Sequence, residues 1–109
     1  PSARRVENRL AGMDCNPYLG IAASLACGYL GLKEKIEPRE ERSIEFTASD
    51  DDIPLNLGDA LDLLADCPPL REVLSEQFCQ VYESVKRNEF KEFLQVISPW
   101  EREHLLLNV

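Results

Sequence analysis

A long apolar stretch constrains the fold of this chain more than any other feature of its sequence. It runs from Tyr18 to Leu32 and is rich in glycine and alanine. Asn16 and Pro17 precede it, and an asparagine N-cap with proline at the first helical position is typical of a helix start. We therefore predict a buried helix that ends at residues 29–30, with Gly31 as its C-cap.

This helix needs cover on every side. Its residues leave no polar face, so an isolated helix would present apolar surface to water in any orientation. The rest of so short a chain can hardly supply the cover, and we expect further chain or a partner subunit to do so. The stretch is shorter than the roughly 20 residues of a membrane-spanning helix, so we predict no membrane role.

The length, apolar content and net charge favour one acidic globular domain. The 109 residues and 44% apolar content suit a single domain with a modest core. The net charge of −8 repels nucleic acid backbones and anionic lipids, so we expect neither as a partner. Since the chain begins at Pro1 without an initiator methionine or a signal-peptide pattern, we interpret it as a segment cut from a longer protein.

Four cysteines, Cys15, Cys27, Cys67 and Cys79, could form two disulfides or one zinc site. No two of them have the close C-x-x-C spacing of a structural zinc motif. Single cysteines on apolar helix faces usually act as small core residues, and we predict that role here. Reduced cysteines in turn favour a cytoplasmic location.

The middle of the chain, from Lys33 to Pro54, is charged and irregular. We predict a long surface loop there, with a short strand at Ser43–Thr47. Three successive aspartates, Asp50 to Asp52, lie in this loop. Adjacent side chains diverge and no calcium-loop pattern surrounds them, so we predict solvated carboxylates rather than a metal site.

Cap residues mark the helices that follow. Asn56 caps a second helix, whose leucines repeat at helical spacing until Pro68 and Pro69 stop it. A short helical turn is expected at Leu70–Leu74, and Ser75 then caps a longer helix.

The longer helix carries an apolar stripe, which we predict to be its core face and which comprises Phe78, Val81, Tyr82 and Val85. The stripe then slips by one position, so we expect a bend or break near Asn88.

The end of the chain begins with a capping box. Ser98 and Glu101 form the box around a proline at the first helical position, which predicts a last short helix. Leu105–Val109 is too apolar to hang free, and we expect it to dock on the core. The single histidine, His104, has no nucleophile or metal pattern near it in the sequence, so we interpret it as a surface or packing residue.

A row of alternating charges near the beginning of the chain is the pattern with most chemical content. Ala3–Leu10 is predicted to be a strand, whose period of two places Arg5, Glu7 and Arg9 on one face. Arginine forks match phosphate oxygens, and a carboxylate between them can hold Mg²⁺ or Mn²⁺. A solvent-facing strand with surface ion pairs is the simpler interpretation, and the pattern alone leaves both open.

The segment ARRVENRLAGMDCNPYLGIAASLACGYLGL, residues 3–32, resembles the C-terminal catalytic region of bacterial glutamine synthetases, with their R-x-E-x-R strand and NPY helix start. The tail SPWEREHLLLNV, residues 98–109, is similar to the gamma-glutamylpolyamine synthetase branch. The resemblance covers the whole chain. It implies an α+β fold for residues 1–109, a mainly helical C-terminal portion of the catalytic domain with one or two strands.

The resemblance also implies roles for the charged row. Arg5 matches the ATP phosphate contact, Glu7 a ligand of the metal between the ATP phosphates, and Arg9 the arginine that stabilises the transferring phosphoryl group and meets glutamate. It implies a ligase that uses ATP with Mg²⁺ or Mn²⁺ to join glutamate to ammonia or an amine through gamma-glutamyl phosphate. A ring of twelve subunits is implied as well. This segment alone is expected to be inactive.

Two departures from the family pattern stand out. Several bacterial members have lysine where Ser2 stands, which puts one phosphate contact in doubt. Some members are adenylylated on a tyrosine in the loop matching Arg42–Leu57, which has none here, so we predict no such control. A non-catalytic helical interaction module, whose apolar helix and tail serve assembly, is the alternative function.

Overall fold

The computed structural model describes residues 2–38 and 53–106, and this part of the chain is mainly helical. It forms five helices: α1 Pro17–Glu34, α2 Leu57–Ala65, α3 Pro68–Leu74, α4 Glu76–Phe93 and α5 Pro99–His104. The predicted helical character is confirmed. The predicted strand at Ser43–Thr47 and the aspartates of the central loop lie outside the described residues.

The predicted strand at Ala3–Leu10 is not confirmed. These residues have no regular secondary structure, and the described residues contain no strand. A strand is defined by its ladder of hydrogen bonds to a neighbour, and within the described ranges no second extended segment provides one. The segment instead lies beside α1.

Helix α1 begins as predicted but ends later. The Asn16 side chain accepts hydrogen bonds from the amides of Tyr18 and Leu19, with proline in the first turn. The helix then continues through Gly31, since a single glycine costs only about 1 kcal/mol in a helix interior and good helix formers follow it. Lys35 ends the helix instead, in the left-handed conformation with φ 52°.

A thin core lies between the helices. Helix α2 packs on α4, and α3 contacts α1, α2 and α4. Leu61 of α2 and Cys79 of α4 are fully buried, and Ala26 and Leu30 of α1 are the other buried apolar residues of the described ranges. The core of the described chain is therefore very small.

The predicted core face of α4 was wrong, and α1 has little cover within this chain, as expected. In α4, Val81 and Val85 are half exposed, and the buried position is Cys79 instead. In α1, residues such as Ile21 and Leu25 are more than 60% exposed, so the helix is not buried within this chain. An apolar stripe becomes a core face only where a partner element covers it.

Helix α4 runs without a break, so the predicted break near Asn88 was wrong, while the alternative of a bend stays a prediction. The Asn88 amide donates a hydrogen bond of 3.0 Å to Glu92 one turn later, within the continuous helix. Phe90 remains on the α2 side, where its ring lies against Gly58 so closely that a Cβ there would come within 3.0 Å. The slip in the apolar pattern therefore does not interrupt the helix.

Helix α3 and the beginning of α4 are joined by an ion cluster. The predicted stop of α2 before the two prolines is confirmed, since α2 ends at Ala65 and the prolines form the first turn of α3. Arg71 donates to Glu76 at 2.6 and 2.9 Å and also to Glu83. Its side chain is only 12% exposed and that of Glu83 16%. The cluster spans the junction at Ser75, which has φ 79° and no side-chain cap hydrogen bond.

The predicted last helix is confirmed, with both hydrogen bonds of the Ser98–Glu101 capping box present. His104 stacks on Trp100, with ring centroids 4.8 Å apart. The predicted docking of the tail fails at Leu105 and Leu106, which are 49% and 64% exposed, and its last three residues lie outside the described ranges.

The architecture is open. The Cα radius of gyration is 17.9 Å, against about 13 Å for a compact domain of this length. Within residues 2–38 and 53–106, no helix combines the length and apolar character needed to cross a membrane. Apolar side chains of α1 and of the region around α5 are exposed, and surfaces of this kind are usually contacts with other protein.

Candidate phosphate and metal site

The charged row is assembled by the segment that precedes α1. The Glu7 carboxylate accepts hydrogen bonds from both neighbouring arginines, at 2.7 Å from Arg5 Nε and 2.8 Å from Arg9 Nη2. Each carboxylate oxygen thus has its own guanidinium. The structure brings the three predicted site residues together on one side of the chain, and their roles remain predictions.

The row is open to solvent. The side chains of Arg5, Glu7 and Arg9 are 68%, 42% and 87% exposed. Ion pairs at such a surface contribute little stability, so the row is not needed to hold the fold. Its cationic groups are free to exchange a carboxylate for another anion.

The two guanidiniums keep the carboxylate ionised. Hydrogen bonds from Arg9, and then from Arg5, lower the pKa of Glu7 below its ordinary value of 4.5, while slight desolvation opposes them. Glu7 is therefore an anion at any neutral pH. A permanently charged carboxylate with both oxygens near solvent is a suitable ligand for a hard divalent cation.

The opposite side of the segment faces α1. Val6 and Asn8 line a groove of about 770 Å³ whose far wall is formed by α1 residues, chiefly Ile21, Leu25, Tyr29 and Leu32. Asn8 Nδ2 donates a hydrogen bond of 2.9 Å to Ser24 Oγ across this groove. Alternate residues of the segment thus point to opposite sides, as predicted, even though no ladder is formed.

Sequence reasoning did not single out Asn8 or Ser24. An asparagine between two charged residues, and a serine inside an apolar helix, were the available signals, since each is a polar group on an otherwise apolar face.

Ser2 is exposed. Burial raises the pKa of the Cys79 thiol, so this cysteine is a poor nucleophile.

The described ranges contain no group of three or more histidine, cysteine, aspartate or glutamate side chains that could hold a metal ion. All four cysteines are free, but only Cys79 is buried, whereas Cys15 and Cys27 are exposed. The prediction that all four act as core residues is thus wrong for these two. A metal at Glu7 would need further ligands from outside the described residues.

Comparison with known proteins decides the family. Residues 1–105 match the sequence model of the family described as "Glutamine synthetase, catalytic domain". The chain belongs to the glutamine synthetase family. It corresponds to the C-terminal part of that catalytic domain, as the R-x-E-x-R and NPY motifs predicted.

Relatives of this chain within the family are named for different reactions. The chain is 37% identical to a glutamine synthetase of Archaeoglobus fulgidus, over 93% of this chain and 22% of the relative. It is 36% identical to the gamma-glutamylputrescine synthetase of Escherichia coli strain K12, over 95% of this chain and 22% of the relative. It is 32% identical to a glutamate–isopropylamine ligase of a Pseudomonas species, over 92% and 23%. The chain therefore spans less than a quarter of the length of these relatives.

Proposed function

We propose that the intact protein is an ATP-dependent ligase that forms a gamma-glutamyl amide from glutamate and ammonia or an amine. The observation that carries this proposal is the solvent-open row in which one carboxylate lies between two arginines. Membership of a family of ligases supports it. Residues 1–109 would form the C-terminal portion of the catalytic domain, which is inactive alone because the other substrate contacts lie elsewhere.

We propose that Arg5 contacts the ATP phosphates, that Glu7 is a ligand of Mg²⁺ or Mn²⁺, and that Arg9 contacts glutamate and the transferring phosphoryl group. The donor set suits these ligands. Guanidinium forks match phosphate oxygens, and the ionised carboxylate of Glu7 provides the oxygen ligands that both metals prefer. The bound cation would neutralise part of the negative charge on the phosphates.

The three side chains act by position and charge. When Arg5 and Arg9 turn from Glu7 toward phosphate oxygens, each guanidinium keeps an anionic partner and the carboxylate is released for the cation. Attack of the substrate carboxylate on the gamma phosphorus would break its bond to the bridging oxygen, releasing ADP and giving gamma-glutamyl phosphate. An amine would then attack the acyl carbon, lose a proton and expel inorganic phosphate. Arg9 would stabilise the charge that builds up on the transferring group, an effect that depends on a prearranged cation.

The acceptor amine is the open part of the proposal. Relatives named for putrescine and for isopropylamine show that the family includes amine ligases. The tail, residues 98–109, is similar to the polyamine branch, so we propose an amine rather than ammonia. A panel of ammonia, putrescine and a monoamine, assayed with the intact protein, distinguishes these acceptors.

We further propose that the intact protein forms a ring of twelve subunits. The exposed apolar side chains of α1 and of the region around Trp100 support assembly, because surfaces of this kind are usually covered by other protein. Analytical ultracentrifugation of the intact protein measures the subunit number directly. The absence of a tyrosine from Arg42–Leu57 still predicts no adenylylation there, and a cytoplasmic location also remains a prediction.

Phosphate release by the intact protein tests the proposed reaction. Release from ATP should require both glutamate and an amine, and Arg9→Ala should lower kcat on the order of a thousandfold, as loss of one charge-stabilising donor does. Arg4→Ala is the matched control, because Arg4 lies on the same segment and makes no ion pair with Glu7. Release without glutamate, or equal losses in both variants, would contradict the proposal.

A further inference from the structure

A chain of three hydrogen bonds connects the charged row to helix α1. Asn8 lies between Glu7 and Arg9 in the sequence but on the opposite side of the segment. Its Nδ2 donates to Ser24 Oγ at 2.9 Å, and its Oδ1 accepts the Leu10 backbone amide at 3.0 Å. The Ser24 hydroxyl donates in turn to the Gly20 carbonyl at 2.8 Å.

The partners fix the orientation of the Asn8 amide. A backbone N–H can only donate, so Leu10 must meet the amide oxygen, and the nitrogen is left to face α1. The Ser24 proton is used on the Gly20 carbonyl, so its oxygen is free to accept. Each donor meets an acceptor, and no other arrangement of these groups satisfies all three bonds.

This network specifies which residue of the segment faces which turn of α1. Val6 lines the groove but is 96% exposed, and the α1 side chains Ile21 and Leu25 are more than 60% exposed, so apolar contact does little to fix the position of the segment along α1. A shift by one residue would turn the charged row toward the groove, and a shift by two would leave the Ser24 hydroxyl facing an apolar side chain.

We propose that Asn8 and Ser24 are positioning residues that hold Glu7 and Arg9 at the place where phosphate and metal bind. The inference rests on the proposed function. Neither residue needs to touch a substrate. The Asn8–Leu10 hydrogen bond fixes the backbone on both sides of Arg9, and the Asn8–Ser24 hydrogen bond anchors residues 8–10 to helix α1.

Amide hydrogen exchange in the intact protein, without nucleotide or metal, tests the anchor independently of activity. Asn8→Ala should speed exchange of the Leu10 amide about two- to tenfold, the range expected for one lost hydrogen bond. Ser24→Ala should speed the same amide, although Ser24 does not touch it. Ser24→Thr keeps the hydroxyl and should restore slow exchange.

Steady-state kinetics test the positioning role. Asn8→Ala and Ser24→Ala should each lower kcat/KM for ATP on the order of tenfold, and the double variant should match Asn8→Ala because both act through one bond. The Mg²⁺ concentration for half-maximal rate should rise as well. A substitution that only unfolds part of the sample lowers the rate and leaves that concentration unchanged.

Leu10 exchange that is unchanged in Ser24→Ala would overturn the proposal, as would additive losses in the double variant. If the wild-type protein is active but both variants keep a normal Mg²⁺ requirement, the positioning role is refuted and the proposed function is not. Wild-type protein that releases no phosphate with glutamate and amine would refute the proposed function, and the positioning role would fall with it.

Discussion

Replacing Ser75 with glycine should stabilise the junction between α3 and α4. Ser75 has φ 79° and ψ 125°, a conformation that side chains with a Cβ rarely adopt, and such strain costs about 1–3 kcal/mol. Glycine removes the strain but adds about 0.5–1 kcal/mol of unfolded-state entropy. The Ser75 side chain is exposed and makes no cap hydrogen bond, so nothing else is lost. We expect a net gain of about 1 kcal/mol.

The matched control is Ser84→Gly, the same chemical change at an exposed position inside α4. There the backbone is helical, so glycine should destabilise by roughly 0.5 kcal/mol. Urea unfolding of the intact protein, followed by helical circular dichroism, gives both midpoints. Opposite shifts for the two variants are expected. A lower midpoint for both would show that Ser75 is not strained, and the reasoning would be refuted.

Three further predictions concern a cap, the core and the charged row. Ser98→Ala should fray α5 at a cost of about 1 kcal/mol, seen as faster amide exchange in its first turn, and unchanged exchange would contradict the cap. Leu61→Ala should cost about 2–5 kcal/mol in urea unfolding and Leu63→Ala, a half-exposed control, well under half of that. Arg9→Ala should raise the pKa of Glu7 toward 4.5 in a carbon-13 carboxyl titration. Because the native pKa is lowered, the stabilising effect of the pair is complete above pH 4.5 and is lost as pH falls through the native value.

Local signals in the sequence predicted the helix ends that depend on neighbouring residues. The Asn56 cap donates and accepts within its own first turn, bonding Asp59, and the capping box at Ser98 is equally local. Such bonds form wherever the cap and the first turn are present, so no tertiary information is needed to find them.

The faces of the long helices could not be predicted in the same way. Phe78 and Val85 repeat at helical spacing, yet they are 37% and 50% exposed and Cys79 is the buried residue of α4. Periodicity shows that a helix has an apolar side and leaves open which partner is available to cover it. The strand at Ala3–Leu10 was not confirmed for a related reason, since a strand exists only with a paired neighbour.

The charged row was the part of the site that the sequence could predict, because a period of two places alternate residues on one side with or without a sheet. The connection from Asn8 to Ser24 could not be predicted, since it joins residues 16 positions apart. Only the packing of the segment on α1 brings them together.

Calorimetric titration of the intact protein with ATP, in the presence and absence of Mg²⁺, tests the central claim most directly. Wild-type protein should bind ATP far more tightly with Mg²⁺, and Glu7→Ala should lose that difference while Arg4→Ala keeps it. Magnesium-dependent ATP binding that is unaltered in Glu7→Ala would contradict the role of the charged row and favour the interaction module.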